Sequence, residues 1–156
     1  MEKKELNRIS DTLLKGKLTE LRCELWFLEH GYLVSIPNVP YQYDFMVDIE
    51  GKILKIQVKT CSIEPDNSGI KIKVCSITHN SNGYIRRNYS SNDVDYFMTY
   101  YDNKCYLIPY KECGVKEKKL RFIPPKNGQI KGISFADDYL AEKIIEKEKE
   151  KEEVIE

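Results

Sequence analysis

Tyr43-Asp44-Phe45-Met46-Val47-Asp48-Ile49-Glu50-Gly51-Lys52-Ile53-Leu54-Lys55-Ile56-Gln57-Val58-Lys59-Thr60 is the stretch from which the fold can be read. Residues 43–49 and 52–60 are strand-like runs on either side of Glu50-Gly51, and glycine accepts the positive φ of a tight hairpin turn. A two-residue loop sets Ile49 against Lys52, so paired residue numbers sum to 101 and Asp44 lies across from Gln57. Side chains alternate along a strand, so Lys55, Gln57 and Lys59 share one face while Leu54, Ile56 and Val58 share the other. Asp44, Gln57 and Lys59 therefore project from the same side.

Upstream of this hairpin, Leu18, Leu21, Leu25 and Leu28 recur at spacings of three and four, and Cys23, Trp26 and Phe27 widen the apolar surface. That pattern predicts a helix over residues 18–28 packed on several sides and ended by His30-Gly31. Lys15-Gly16-Lys17 precedes it, which predicts that Leu6, Ile9, Leu13 and Leu14 belong to a separate turn or two of helix. Residues 32–36 are β-rich, and residues 37–40 form a loop with two prolines.

Downstream, residues 70–77 alternate as a strand, whereas residues 79–92 are polar and punctuated by Asn-Gly and Ser-Ser-Asn, which predicts a substantial loop. Residues 94–101 and 105–110 form a second hairpin candidate, and residues 120–123 a short edge strand. From Phe135 onward, with Ser134 or Asp137 as cap, Tyr139, Leu140, Ile144 and Ile145 predict a helix that dissolves into Glu-Lys repeats and a solvated or frayed last dozen residues. The expected organisation is one domain over residues 1–136 and a charged C-terminal helix or tail over residues 137–156, packed on it or extending from it. A chain of 156 residues can bury such a core without disulfides or structural metals.

Composition narrows the chemistry. Apolar residues at 41% and charged residues at 32% are globular values, and no run approaches a membrane span. Residues 1–8 lack the apolar run of a secretory signal, so the expected address is the cytoplasm. The five cysteines are odd in number and form no Cys-x-x-Cys pair, which argues against a disulfide framework or zinc cluster. With only His30 and His79, histidine chemistry has little to build on, so carboxylates and lysines must carry any reaction. Net charge is zero, but residues 137–156 hold four Lys and nine acids, leaving 21 Lys or Arg against 16 acids in residues 1–136. A mildly basic body with an acidic tail suits an anionic ligand and also a lysine-rich protein with no such partner.

Phosphodiester hydrolysis needs an activated water, charge neutralisation at phosphorus and help for the leaving oxygen, and a hard divalent ion with oxygen ligands supplies all three. Asp44 would be a direct ligand, joined by the amide oxygen of Gln57 and the backbone carbonyl of Val58. Lys59 would orient or deprotonate the attacking water or stabilise charge on the phosphate. Glu20, on the helix before the hairpin, would hold metal waters or a second ion. The same residues admit plainer readings: Lys55, Gln57 and Lys59 as the wet face of a half-buried strand, Asp44 as a turn former, Glu20 as a solvated acid. Order and spacing distinguish the two.

An acid on the first helix, the run of residues 43–48, a glycine turn and then Ile56-Gln57-Val58-Lys59-Thr60 resemble the PD-(D/E)XK nuclease superfamily. Gly16-Lys17-Leu18-Thr19-Glu20, Gly31-Tyr32-Leu33-Val34-Ser35 and the Gln-Val-Lys-Thr string resemble the bacterial branch that includes a homing endonuclease encoded in a group I intron. Archaeal Holliday-junction resolvases are more distant. The resemblance spans residues 15–62, and a looser match continues through residues 93–97 to 106–109. It implies an α/β (α+β) fold with a mixed central sheet flanked by helices. It further implies DNA cleavage dependent on Mg²⁺, with Mn²⁺ as a substitute, and roles for Glu20, Asp44, Gln57 and Lys59 as above. Gln57 replaces the usual second acid with a neutral oxygen, which keeps open a non-catalytic DNA-binding or assembly module.

Lys15 and Lys17 at a helix start, and Arg86-Arg87 with Tyr84 and Tyr89 in the polar segment, are the candidate contacts to DNA phosphates and grooves. A duplex has two strands, so a small single-site nuclease is expected to pair as a homodimer or a higher homo-oligomer.

Overall fold

Asp44 donates its backbone N–H to the carbonyl of Ile56 (2.9 Å) and so enters an antiparallel hairpin of β2, Phe45–Ile49, and β3, Lys52–Val58. These are the coordinates of a computed structural model describing residues 9–153. The register runs from Phe45 opposite Ile56 to Ile49 opposite Lys52, the pairing expected from the turn. Glu50 and Gly51 both take positive φ (52° and 96°), and Asp48 Oδ1 accepts the Gly51 N–H at 2.7 Å. Burial alternates strictly: Phe45, Val47, Ile49, Leu54, Ile56 and Val58 are buried, and Lys55 and Gln57 are half-buried.

This hairpin lies inside a five-stranded mixed sheet. β1, Val34–Ser35, pairs antiparallel with β2. β3 runs parallel to β8, Tyr96–Tyr101, which turns at Asp102-Asn103, both at positive φ, into antiparallel β9, Lys104–Pro109. The order is β1-β2-β3-β8-β9. Aligned residues share a face, so Phe45, Ile56 and Tyr96 look one way and Gln57 and Phe97 the other.

Helix α1, Asp11–Glu29, packs on the first face through Phe27, whose ring meets Phe45 edge-on at 6.0 Å. Helix α2, Ala141–Glu153, also reaches that face: Glu148 accepts from Tyr96 and from Lys52 Nζ (2.8 Å). Trp26 Nε1 donates to Glu142 Oε1 (3.1 Å) and ties the helices together. The mixed sheet with its helices is the fold that the resemblance implied.

Four local expectations change. α1 does not break at Gly16: one helix starts from Ser10, whose side chain caps the Leu13 N–H. An interior glycine costs about 1 kcal/mol relative to alanine, which packing further along absorbs. Leu6 lies outside the described residues. The helix buries Thr19, Cys23, Trp26 and Phe27, while Leu18, Leu21, Leu25 and Leu28 stay outside. Ile9 and Leu13 are also exposed, so no separate apolar turn packs there.

Residues 79–92 are largely strand rather than loop. β6, Cys75–Asn80, and β7, Gly83–Asn88, form a two-stranded arm. A polar ribbon with no core face shows no apolar alternation to announce it. The strand expected over residues 70–77 splits into β5, Gly69–Lys73, and the start of β6; β5 joins β4, Ser62–Ile63, and edge strand β10, Glu117–Arg121, in a second sheet.

At the C-terminal end, residues Ala136–Tyr139 form a 3₁₀ turn before α2, so the helix starts later than Phe135. Its repeats are not all solvated: Glu148 is 4% exposed, because its carboxylate bonds Tyr96 and Lys52 at the sheet. No helix among the described residues is long and apolar enough to cross a membrane.

Candidate active site

β3 ends at Val58, and the chemistry-bearing groups gather there. Asp44 is half-buried; its Oδ2 accepts the Val58 N–H at 2.7 Å, a bond from the facing strand that fixes the carboxylate against the end of β3. Burial pushes the Asp44 carboxyl up to about 6. The Val58 bond opposes that rise, Glu20 adds to it, and the cations of Lys59 and Lys17 oppose it. A carboxylate this reluctant to ionise takes up a cation readily, because the cation supplies the charge compensation that water no longer gives.

Gln57, across from Asp44, turns its amide nitrogen to the Val58 carbonyl at 3.3 Å. The amide oxygen and nitrogen exchange places by a half-turn about the last side-chain bond, so the same residue can present oxygen instead. Lys59 lies on the Gln57 face. Its N–H donates to Met98 O (2.8 Å), and its Nζ donates to Tyr89 Oη (3.0 Å) and the Cys75 carbonyl (3.4 Å), 4.8 Å from the Tyr89 ring centroid. Tyr89 packs edge-on against Phe97 (5.4 Å), so the aromatic layer on that face holds the lysine in place.

Glu20 reaches the site from α1. It shares a cavity of about 320 Å³ with Asp44, Tyr43 and the proline loop, and it binds Lys17 Nζ at 2.9 Å. One turn further on, Glu24 buries an Oε1 that has no partner, and burial, then Glu20, raise its pKa. Among the described residues no three His, Cys, Asp or Glu side chains gather as a metal cage. One half-buried carboxylate with neutral oxygens beside it is instead a donor set suited to an ion that keeps several waters.

The structure thus brings Asp44, Gln57, Val58 and Lys59 to one strand end with Glu20 beside them. Lys17 stands at the site through Glu20. Lys15 lies apart, along a cavity with Cys61, Tyr100 and Tyr101. Arg86 and Arg87 sit on the exposed β7 with opposite faces: Arg86 pairs with Ile77, and Arg87 with Ser76. Ile77 and His79 line a cleft of about 470 Å³ with Lys59, Lys71 and Lys73, so the Arg86 face is the one turned to it. Sequence reasoning missed Lys71, Lys73 and Glu24, and it set Tyr89 among the groove contacts rather than against Lys59. The lysines had a signal, since they alternate with buried Ile70 and Ile72; the contact of Tyr89 with Lys59 had none.

A family model described as PD-(D/E)XK endonuclease matches residues 10–142. Among solved structures, the bacterial homing endonuclease I-Ssp6803I superposes with a TM-score of 0.71. The match covers 92% of this chain and 99% of that one at 23% identity, a likeness of fold. No curated protein matched the chain.

Proposed function

Because the chain belongs to the PD-(D/E)XK endonuclease family, matched over residues 10–142, we propose that it is a Mg²⁺-dependent DNA endonuclease that also accepts Mn²⁺. The observation that carries this reading is the half-buried Asp44 carboxylate fixed on Val58, with the Lys59 ammonium on the same strand end. Asp44, the Val58 carbonyl, the Gln57 amide oxygen and, through water, Glu20 would hold the ion. The orphaned Glu24 oxygen and the raised Asp44 carboxyl both fit a nearby cation. A bound divalent ion supplies an acidified water and charge neutralisation at phosphorus and the leaving oxygen.

The chain's own residues do the rest. Lys59, steadied by Tyr89 and Cys75, would neutralise the phosphate and orient the attacking water. The Lys71-Lys73 side of the cleft and Arg86 offer cations to the DNA backbone, with Lys17 and Lys15 on the helix side and Arg87 on the far face of the arm. Cutting both strands with one site per chain calls for a homodimer or higher homo-oligomer. The five free thiols suit a reducing, cytoplasmic setting.

One observation favours a silent DNA-binding relative: the Gln57 amide and the Val58 carbonyl are turned to each other rather than to a common point. Supercoiled plasmid incubated with Mg²⁺ or Mn²⁺ separates the two. The nuclease reading expects nicking or linearisation that EDTA abolishes and that Asp44→Ala and Lys59→Ala lower by about 10² or more. Cutting no greater than that of Lys59→Ala would overturn it.

A further inference from the structure

Leu14, Leu18, Leu21, Leu25 and Leu28 follow one another along α1 at spacings of four, three, four and three, and are 47, 42, 46, 51 and 54% exposed. At about 100° per residue they form a single stripe opposite the buried Thr19, Cys23, Trp26 and Phe27. α1 is thus apolar on two sides, and only one faces the sheet. A 4-3-4-3 leucine row has the spacing that the seam of a helix pair uses.

The charges flanking the seam say which occupant fits. Lys15 and Lys17 lie in the N-terminal half of the helix, Glu24 and Glu29 in the C-terminal half. A parallel copy would set lysine beside lysine and glutamate beside glutamate. An antiparallel copy crossing between Leu21 and Arg22 brings the two rows together to within one residue of register, with Leu14 near the partner's Leu28 and Leu18 near the partner's Leu25. It also brings Lys15 near the partner's Glu29. Arg22, near the axis, does not oppose its counterpart, because its guanidinium stacks 4.7 Å from its own Tyr100 ring. Leu14 and Leu18 also wall a cavity of about 740 Å³ with Tyr100 and the exposed Ile63, which extends the apolar surface beyond the helix.

We infer that the leucine row of α1 is a two-fold, antiparallel interface with a second copy of this chain. Because Glu20 is on the same helix, pairing sets two candidate sites on one seam, one for each strand of a duplex; that consequence rests on the nuclease reading, whereas the pairing itself does not.

Sedimentation equilibrium of the full chain tests it. The mass expected is that of two 18.3 kDa chains or an even multiple. Leu21→Glu should halve it while the circular dichroism spectrum of the folded chain is kept, since that position is exposed in the single chain. Lys15→Glu should weaken the dimer about three- to tenfold, and Lys15→Glu with Glu29→Lys should restore it. A wild-type monomer at every concentration, a dimer that survives Leu21→Glu, or a double variant no tighter than Lys15→Glu alone would each overturn the inference. A chain that nicks without pairing refutes the pairing alone, and one that pairs without cutting refutes the nuclease reading alone.

Discussion

Burial holds the Asp44 carboxyl at about 6 against an ordinary 3.8, while Lys59 and Lys17 pull the other way. A carboxyl whose folded pKa exceeds its unfolded value binds more protons when folded. Its contribution to stability is therefore full below 3.8 and is lost as the pH rises through about 6. At pH 8 the metal-free protein carries an ionised, poorly solvated Asp44. Asp44→Asn keeps an oxygen for the Val58 N–H and removes the charge. It should stabilise the metal-free chain by about 1–3 kcal/mol at pH 8, read by urea unfolding, with the gain vanishing near pH 4. The same variant should lose cleavage. A destabilised Asp44→Asn at pH 8 would mean that the carboxylate is already compensated by protein groups. The residue-level pattern was legible because hairpin register is arithmetic: a two-residue turn at Glu50-Gly51 placed Asp44 opposite Gln57. The hold of Tyr89 on Lys59 was illegible, since it joins residues thirty apart through a segment with no periodic signal.

Hydrophobic periodicity reveals a helix but not which stripe it buries. In α1 the leucines make the stronger pattern, and yet Cys23, Trp26 and Phe27 are the buried residues, with Phe27 set edge-on against Phe45. The β6–β7 arm hid for the opposite reason, having no buried face to alternate with. Its register now distinguishes two adjacent arginines. Arg86→Ala should weaken DNA binding evenly across sequences and lower the salt slope by about 1, and Arg87→Ala should do less, measured by fluorescence anisotropy in Ca²⁺. Equal losses would place DNA on both faces of the arm. α2 corrects the expectation of a solvated tail. Burial works against the Glu148 carboxylate, but bonds from Lys52 and Tyr96 win and hold its pKa below the usual range. Glu148→Ala leaves a buried tyrosine hydroxyl without that acceptor and should cost about 1–3 kcal/mol in chemical unfolding. No loss would return that stretch to the solvent.

At the scale of the whole molecule, a mixed sheet with both helices on one face leaves the other to an aromatic layer, a basic cleft and a projecting arm, with the Asp44 site where the faces meet. Zero net charge conceals that layout, because the acidic segment belongs to α2 on the far side of the sheet from Gln57 and Lys59. The residues that hold the fold are largely separate from those that gather at the end of β3, so the site can be altered without unfolding the chain. Whether that site takes a divalent ion is the question on which an endonuclease and a silent relative divide. A crystal structure of the chain soaked in Mn²⁺, with anomalous diffraction to locate the ion, tests this most directly. The account predicts one ion bound by an Asp44 oxygen and the Val58 carbonyl, with the Gln57 amide turned to present its oxygen. No anomalous peak there at saturating Mn²⁺, with Gln57 still bonded to Val58, would contradict it.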